Sequence, residues 1–273
     1  INADSMQVYK QLKILTARPS ETDKKIVPHH LYGHVSGERR YNVAEWCEEA
    51  ISIIKKNDKK KILSIIVGGT GLYINSLLKG LAEVPNISEI YKEESNKKLL
   101  ELGLEKFYNE VYKIDKISCK KISKNDTQRL KRIWEVYNST GKPLSEWISN
   151  NHNFYLENFN YHILLFFPKR EDIYKKVNNR FLKMINNGVI EEVKMLLNLN
   201  LNPSFPIMKA HGVPEISNYL SGKINLEECI SRSQQVTRNY VKRQLTWWKS
   251  FEFNNTNIFD HFPSNFDLKS LDF

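Results

Sequence analysis

A chain of 273 residues with 41% hydrophobic side chains is long enough to bury one large or two small cores, and its apolar runs stop well short of the roughly 18–20 residues that span a bilayer, which excludes an inserted protein. Lys and Arg number 41 against 31 Asp and Glu, a net charge of +10 that turns the surface toward phosphates and nucleic acid or merely solvates it with lysine. Cys47, Cys119 and Cys229 are odd in number and too widely spaced for a CxxC motif, which argues against a disulfide framework and for a reducing cytoplasm, and no signal-peptide zones precede them.

The opening Ile1-Asn2 reads as the end of a strand, and Asp4-Ser5 behind it as a helix cap or a reactive pair. His29, His30 and His34 in PHHLYGH have no Cys or carboxylate at ligand spacing and read as packed or solvated loop imidazoles. Residues 62–67 form a short β-branched apolar run that predicts a buried parallel strand; Gly68, Gly69 and Gly71 break it, and a helix follows from Leu72. Thr70 at that junction is placed either to cap the helix or to meet a phosphate oxygen beside its N-terminal amides.

From 86 to 155 strand signals vanish and charge rises, which predicts a helical insertion into an α/β core formed by 1–85 and 156–273. Within it, Leu130, Ile133, Trp134 and Tyr137 follow helical spacing and predict a buried face, with Asp126 as N-cap and Gly141 with Pro143 as the stop. Gln128 and Arg132, four apart, share another face with Arg129, as a nucleic-acid contact or an ordinary solvated surface. A second strand is predicted at 162–167, stopped by Pro168, then a helix that buries Ile173, Val177, Phe181 and Met184. The longest predicted helix runs through EECISRSQQVTRNYVKRQLTWWKS, with Cys229, Val236, Tyr240 and Trp247 on its packing stripe and Arg238, Lys242, Arg243 and Lys249 elsewhere. Beyond 251 the Asn- and Phe-rich tail shows weak periodicity. Ligands of an open α/β sheet collect at the carboxyl ends of its strands, so Asp4, Thr70 and the Arg170 region are expected to face one crevice.

Taken together and in this order, DSMQVY, GGTGLY, NDTQRLKRIWEVYNSTGKPLSEW and TRNYVKRQLTWW resemble the tRNA dimethylallyltransferase family, also called tRNA isopentenyltransferases, over residues 3 to about 250. The resemblance implies a P-loop NTPase-like parallel-sheet core with an inserted helical domain. It also implies Mg²⁺-assisted transfer of a dimethylallyl group from dimethylallyl diphosphate to the exocyclic amine of the adenosine 3′ of the anticodon. Asp4 becomes the general base and Ser5, Met6 and Gln7 line the slot for the base. Thr70 contacts the bridging oxygen of the diphosphate, and Arg180 and Arg238 bind the diphosphate or the RNA backbone. Gln128, Arg129, Leu130, Lys131 and Arg132, with Lys209, Lys242 and Arg243, are assigned to the tRNA anticodon stem-loop. A monomer is expected.

The chemistry agrees with that assignment, because a weakly nucleophilic amine and a diphosphate leaving group require a proton acceptor opposite donors and cations, and a stacked base must first be extruded. One departure is plain: the phosphate-binding GxxxxGK[ST] motif that family members carry ahead of DSMQ does not occur in this sequence, so the first strand, that loop with its metal-binding hydroxyl, and the first helix are expected to be missing. In MKAHGVPEI, Lys209, Val213 and Pro214 replace the family's usual Arg and Tyr-Arg or Tyr-Lys pair, and Lys176 stands where Arg is common. Two other readings remain open, a nucleotide kinase of the phosphate-loop class and an inactive tRNA-binding fragment.

Overall fold

Polar caps and glycine stops cut the chain into short elements. The computed structural model describes residues 1–150, 152–251 and 255–263. In chain order its elements are α1 (Glu21–Ile26), α2 (Val43–Asp58), α3 (Gly71–Lys79), β1 (Leu81–Ala82), α4 (Glu89–Ile114), α5 (Lys116–Lys120), α6 (Thr127–Thr140), α7 (Leu144–Asn150), β2 (His152–Asn153), β3 (Ile163–Phe166), α8 (Arg170–Asn186), α9 (Val189–Leu197), a 3₁₀ turn (Pro206–Lys209), α10 (Val213–Leu220), α11 (Leu226–Lys249) and β4 (Thr256–Phe259). Two compact units result, one of Ile1–Ser76 with Leu156–Phe273 and one of Leu77–Tyr155. The first of these boundaries falls at 76/77 rather than at the expected 85/86.

The larger unit is mixed α/β with parallel pairing, the class expected, but its pairing is brief. Strand β3 pairs in parallel with β4 from Ile163–Thr256 to Phe166–Phe259, and isolated parallel bridges join Asn2 to Val67 and Tyr9 to Val35. The expected buried strand at 62–67 is corrected by this geometry. Only Val67 pairs, and Ile62, Leu63, Ile65 and Val67 are all more than half exposed. An apolar run becomes a buried strand only when neighbours cover both edges and faces, and among the described residues only Ile1–Ala3 line up beside it.

Strand β4 has no counterpart among the expected elements: its four residues are too few to show a period, and only pairing with β3 makes them a strand. Residues 252–254 and 264–273 of the same tail lie outside the described residues. Helix α8 buries Val177, Phe181 and Met184 as the spacing predicts, with Ile173 half-buried. Along α11, Cys229 is buried, while Val236, Tyr240 and Trp247 stay half-buried.

The helical unit is built on α4 and α6. Phe107 and Val111 of α4 meet Leu130, Ile133 and Trp134 of α6 and Cys119 of α5 in one core. Asp126 caps α6 by accepting from the Arg129 amide at 3.1 Å, and Gly141 ends it in the left-handed conformation at φ 73°. Tyr137 departs from the expected buried face: it is exposed and Val136 takes its place. The buried Asp115 ties α5 to α7, its two oxygens accepting from the amides of Ser118 at 2.9 Å and Ser145 at 2.8 Å. Burial opposes its charge, yet those donors outweigh it and hold the carboxyl below the usual range. A two-residue antiparallel pair, Leu81–Asn153 and Ala82–His152, adds strand where none was expected.

Candidate active site

Asp4 is presented by a backbone that a buried Asn braces. Asn2 is fully buried; its Oδ1 accepts from the Asp4 amide at 2.9 Å, and its Nδ2 donates to the carbonyls of Asp4 at 3.0 Å and Leu31 at 2.9 Å. Trp46 Nε1 donates to the Asn2 carbonyl at 2.7 Å, so side chain and backbone of Asn2 are both pinned. Asp4 then uses one carboxylate oxygen locally. Its Oδ1 accepts from the amides of Met6 at 2.8 Å and Gln7 at 3.2 Å, while no group among the described residues hydrogen-bonds its Oδ2. The local cap therefore occupies one oxygen and leaves the other open.

Thr70 lies beside this turn. Its Oγ1 accepts from the Ser5 amide at 3.0 Å and lies 3.4 Å from the Ser5 hydroxyl, and its amide donates to the Ala3 carbonyl at 3.1 Å. The hydroxyl is thus turned toward residue 5 rather than capping α3. The paired glycines explain how the two segments come so close. A Cβ on Gly68 would overlap the carbonyl group of Ala3, and one on Gly71 would overlap the ring of Trp247 on α11. Gly68→Ala is accordingly expected to cost about 1–3 kcal/mol, since a backbone carbonyl cannot yield as a side chain does; thermal unfolding measures the loss, and an unchanged Tm refutes the close approach.

Helices α8 and α11 bring the cations. Arg180 on α8 stays solvent-exposed, and no described group hydrogen-bonds its guanidinium. Surrounding protein lowers its pKa through desolvation, and the negative charge of Asp4 opposes that shift. Arg238 on α11 is committed instead: one arm donates to Asn178 Oδ1 at 2.8 Å and another to Gln235 Oε1 at 2.6 Å. Both partners are neutral, so its charge is positioned but uncompensated. Arg180, with all five donors open, is the better equipped of the two for bidentate phosphate binding.

Tyr240, Gln244 and His211 lie beside this cluster. Tyr240, read from periodicity as packing, lies near the Thr70 and Gln244 side chains; burial and then the Asp4 charge raise its pKa against the pull of those two neighbours, and it stays a phenol. Gln244 in turn donates to the Gly69 carbonyl at 2.9 Å. Tyr240 and Gln244 are four apart and so share one helix face, the signal that could have separated them from the packing stripe. His211 lies edge-on to Tyr240 with ring centroids 4.8 Å apart. Burial and the Arg243 charge push its pKa down, against pulls from Glu215 and Asp4, and the imidazole is neutral at pH 7. Lys209, Lys242 and Arg243 are exposed, the last with its guanidinium 5.7 Å from the Tyr240 ring centroid, whereas Lys176 sits over the Phe262 ring.

The residues around Asp4 do not form a Mg²⁺ cage. The neighbours that sense its charge are a guanidinium, an imidazole and phenols, and among the described residues no group of three His, Cys, Asp or Glu converges. Hard divalent cations want several oxygen ligands, so no step here is routed through a metal.

In the helical unit, Gln128 and Arg129 are exposed, and Lys131 and Arg132 are half-buried. Arg129 lies 3.4 Å from Asp126, and Lys131 donates to Asn96 at 2.6 Å. Leu130 must leave the RNA-contacting set: its side chain is fully buried in the α4–α6 core. No described helix is long and apolar enough to cross a membrane.

The family model described as IPP transferase matches residues 7–251. The chain is 44% identical to the tRNA dimethylallyltransferase of Wolbachia pipientis subsp. Culex pipiens over 260 residues, 95% of this chain and 86% of that protein. Its fold is similar to that of the tRNA isopentenylpyrophosphate transferase of Bacillus halodurans, with a TM-score of 0.64 and 28% identity over 95% of this chain and 80% of that one. It is also similar to a eukaryotic dimethylallyltransferase acting on tRNA, with a TM-score of 0.73 and 27% identity over 90% of this chain and 62% of that one. A chain so matched along almost its whole length leaves one assignment: it belongs to the tRNA dimethylallyltransferase family and takes part in tRNA prenylation.

Proposed function

We propose that the cluster around Asp4 transfers a dimethylallyl group from its diphosphate to the exocyclic amine of the adenosine 3′ of the anticodon. The amine lone pair forms the new C–N bond at the allylic carbon, the C–O bond to the diphosphate breaks, and its electron pair stays on the bridging oxygen. The amine proton passes to Asp4 Oδ2. Arg180 takes up the charge developing on the leaving group, Arg238 supports it from its fixed position, and the Thr70 hydroxyl donates to the bridging oxygen. Ser5, Met6 and Gln7 line the slot for the extruded base. Gln128, Arg129, Lys131 and Arg132, with Lys209, Lys242 and Arg243, supply phosphate contacts to the anticodon stem-loop, a surface whose affinity falls with salt.

The observation that supports this reading is the contact of the Asp4–Ser5 turn with Thr70, where the Ser5 amide donates to the Thr70 hydroxyl at 3.0 Å, beside which the Arg180 guanidinium senses the Asp4 charge. The test is labelled dimethylallyl transfer to unmodified tRNA, run beside ATP turnover. Label in the nucleoside after the anticodon supports the proposal. ATP hydrolysis without transfer would reassign the chain as a nucleotide kinase, and salt-sensitive tRNA binding without product would make it a binding fragment.

A further inference from the structure

Glu192 is a carboxylate on α9, only 6% exposed, that the transfer chemistry does not use. Its Oε1 accepts from the amides of Lys13 and Ile14, both at 2.7 Å, and its Oε2 accepts from the Leu15 amide at 2.8 Å. Three successive amides converging on one point make an anion-binding nest, and here a side chain from about 180 positions away in sequence fills it. The segment it grips has no helix or strand, and Ala17 within it holds the left-handed conformation at φ 52°, which a residue with a Cβ avoids unless its surroundings impose it. The carbonyls of Thr16 and Ala17, next along the segment, accept from Gln7 Nε2 at 2.8 and 3.2 Å. The Gln7 backbone N–H also donates to Asp4 Oδ1.

We propose that Glu192 is a positioning residue for the base slot: by fixing residues 13–15 it sets the two carbonyls that orient the Gln7 side chain. The inference rests on the reading of Gln7 as a lining of that slot. Glu192 touches neither substrate. Without its second acceptor oxygen the nest loses a partner for one amide, the Thr16 and Ala17 carbonyls drift, and Gln7 turns away from the purine.

Steady-state kinetics on the full chain tests this with Glu192→Gln, Gln7→Met and the double variant. Each single change is expected to raise KM for tRNA about tenfold, because a small misplacement of a contact group is enough for that loss, and to leave KM for dimethylallyl diphosphate within about twofold. The double variant is expected to be no worse than the poorer single one, since both act through one side chain. A merely structural Glu192 would instead give multiplying losses, with both KM values rising and kcat falling in step with Tm, and that pattern overturns the proposal. Unchanged tRNA KM in a folded Glu192→Gln, beside a responsive Gln7→Met, overturns the relay alone. Unchanged tRNA KM in Gln7→Met removes Gln7 from the slot and takes the proposal with it. Should Glu192→Gln fail to fold, hydrogen exchange on Gln7→Met still decides: coupling is reciprocal, so the amides of Lys13, Ile14 and Leu15 must exchange faster than in the parent, and an unchanged rate overturns the proposal.

Discussion

Asp4→Asn is expected to lower kcat for prenyl transfer by about 10²–10⁴-fold, the range over which a positioned proton acceptor acts, while tRNA affinity stays within about twofold. The substitution is nearly isosteric. Asn keeps an Oδ1 that accepts from the amides of Met6 and Gln7, so the turn survives. What disappears is the open oxygen proposed to receive the amine proton, and with it the negative charge that Arg180 and His211 sense. Single-turnover transfer of labelled dimethylallyl, measured beside tRNA binding, separates the two effects. A variant that turns over at the parent rate removes Asp4 as the base, and one that loses tRNA binding equally makes it a recognition residue.

Arg180→Gln is expected to lower kcat by about 10²–10³-fold, comparable to the loss of a preorganised donor from an oxyanion site. Its guanidinium is exposed and carries no hydrogen bond to any described group, so its donors are free for an arriving diphosphate. Arg238 has already spent donors on Asn178 and Gln235. The same substitution there is therefore expected to cost less. Arg180→Lys should recover only part of the loss, because an ammonium restores charge without the planar fork. Rates at saturating donor decide the matter; equal losses at both positions would cancel the ranking of Arg180 over Arg238.

Local chemistry was legible wherever a residue's role depends on its neighbours in the chain. The cap at Asp126, the stop at Gly141, the buried spacing of Val177, Phe181 and Met184 and the long helix ending at Lys249 all follow from periods and cap preferences that operate within a turn or two. Position 137 shows where this fails. Tyr137 fits the stripe as well as its neighbours, but Val136 is the residue that is buried, and which side of a stripe is covered depends on the covering element. The run at 62–67 fails for the same reason in reverse, its residues having β-branched character but few neighbours to pair with.

The sequence by itself determined the family, because motif order and residue type survive without coordinates, and it named Asp4, Thr70, Arg180 and Arg238 as candidates for the chemistry. Only the tertiary structure decided what those groups touch. Contacts between residues 4 and 70, 7 and 16, or 15 and 192 depend on how segments meet across the fold, and no short-range period encodes them. That is why His211 and the hydroxyl of Tyr240 entered the site unannounced, why Leu130 left the RNA surface for a core, and why a distant glutamate proved to hold the loop beneath Gln7.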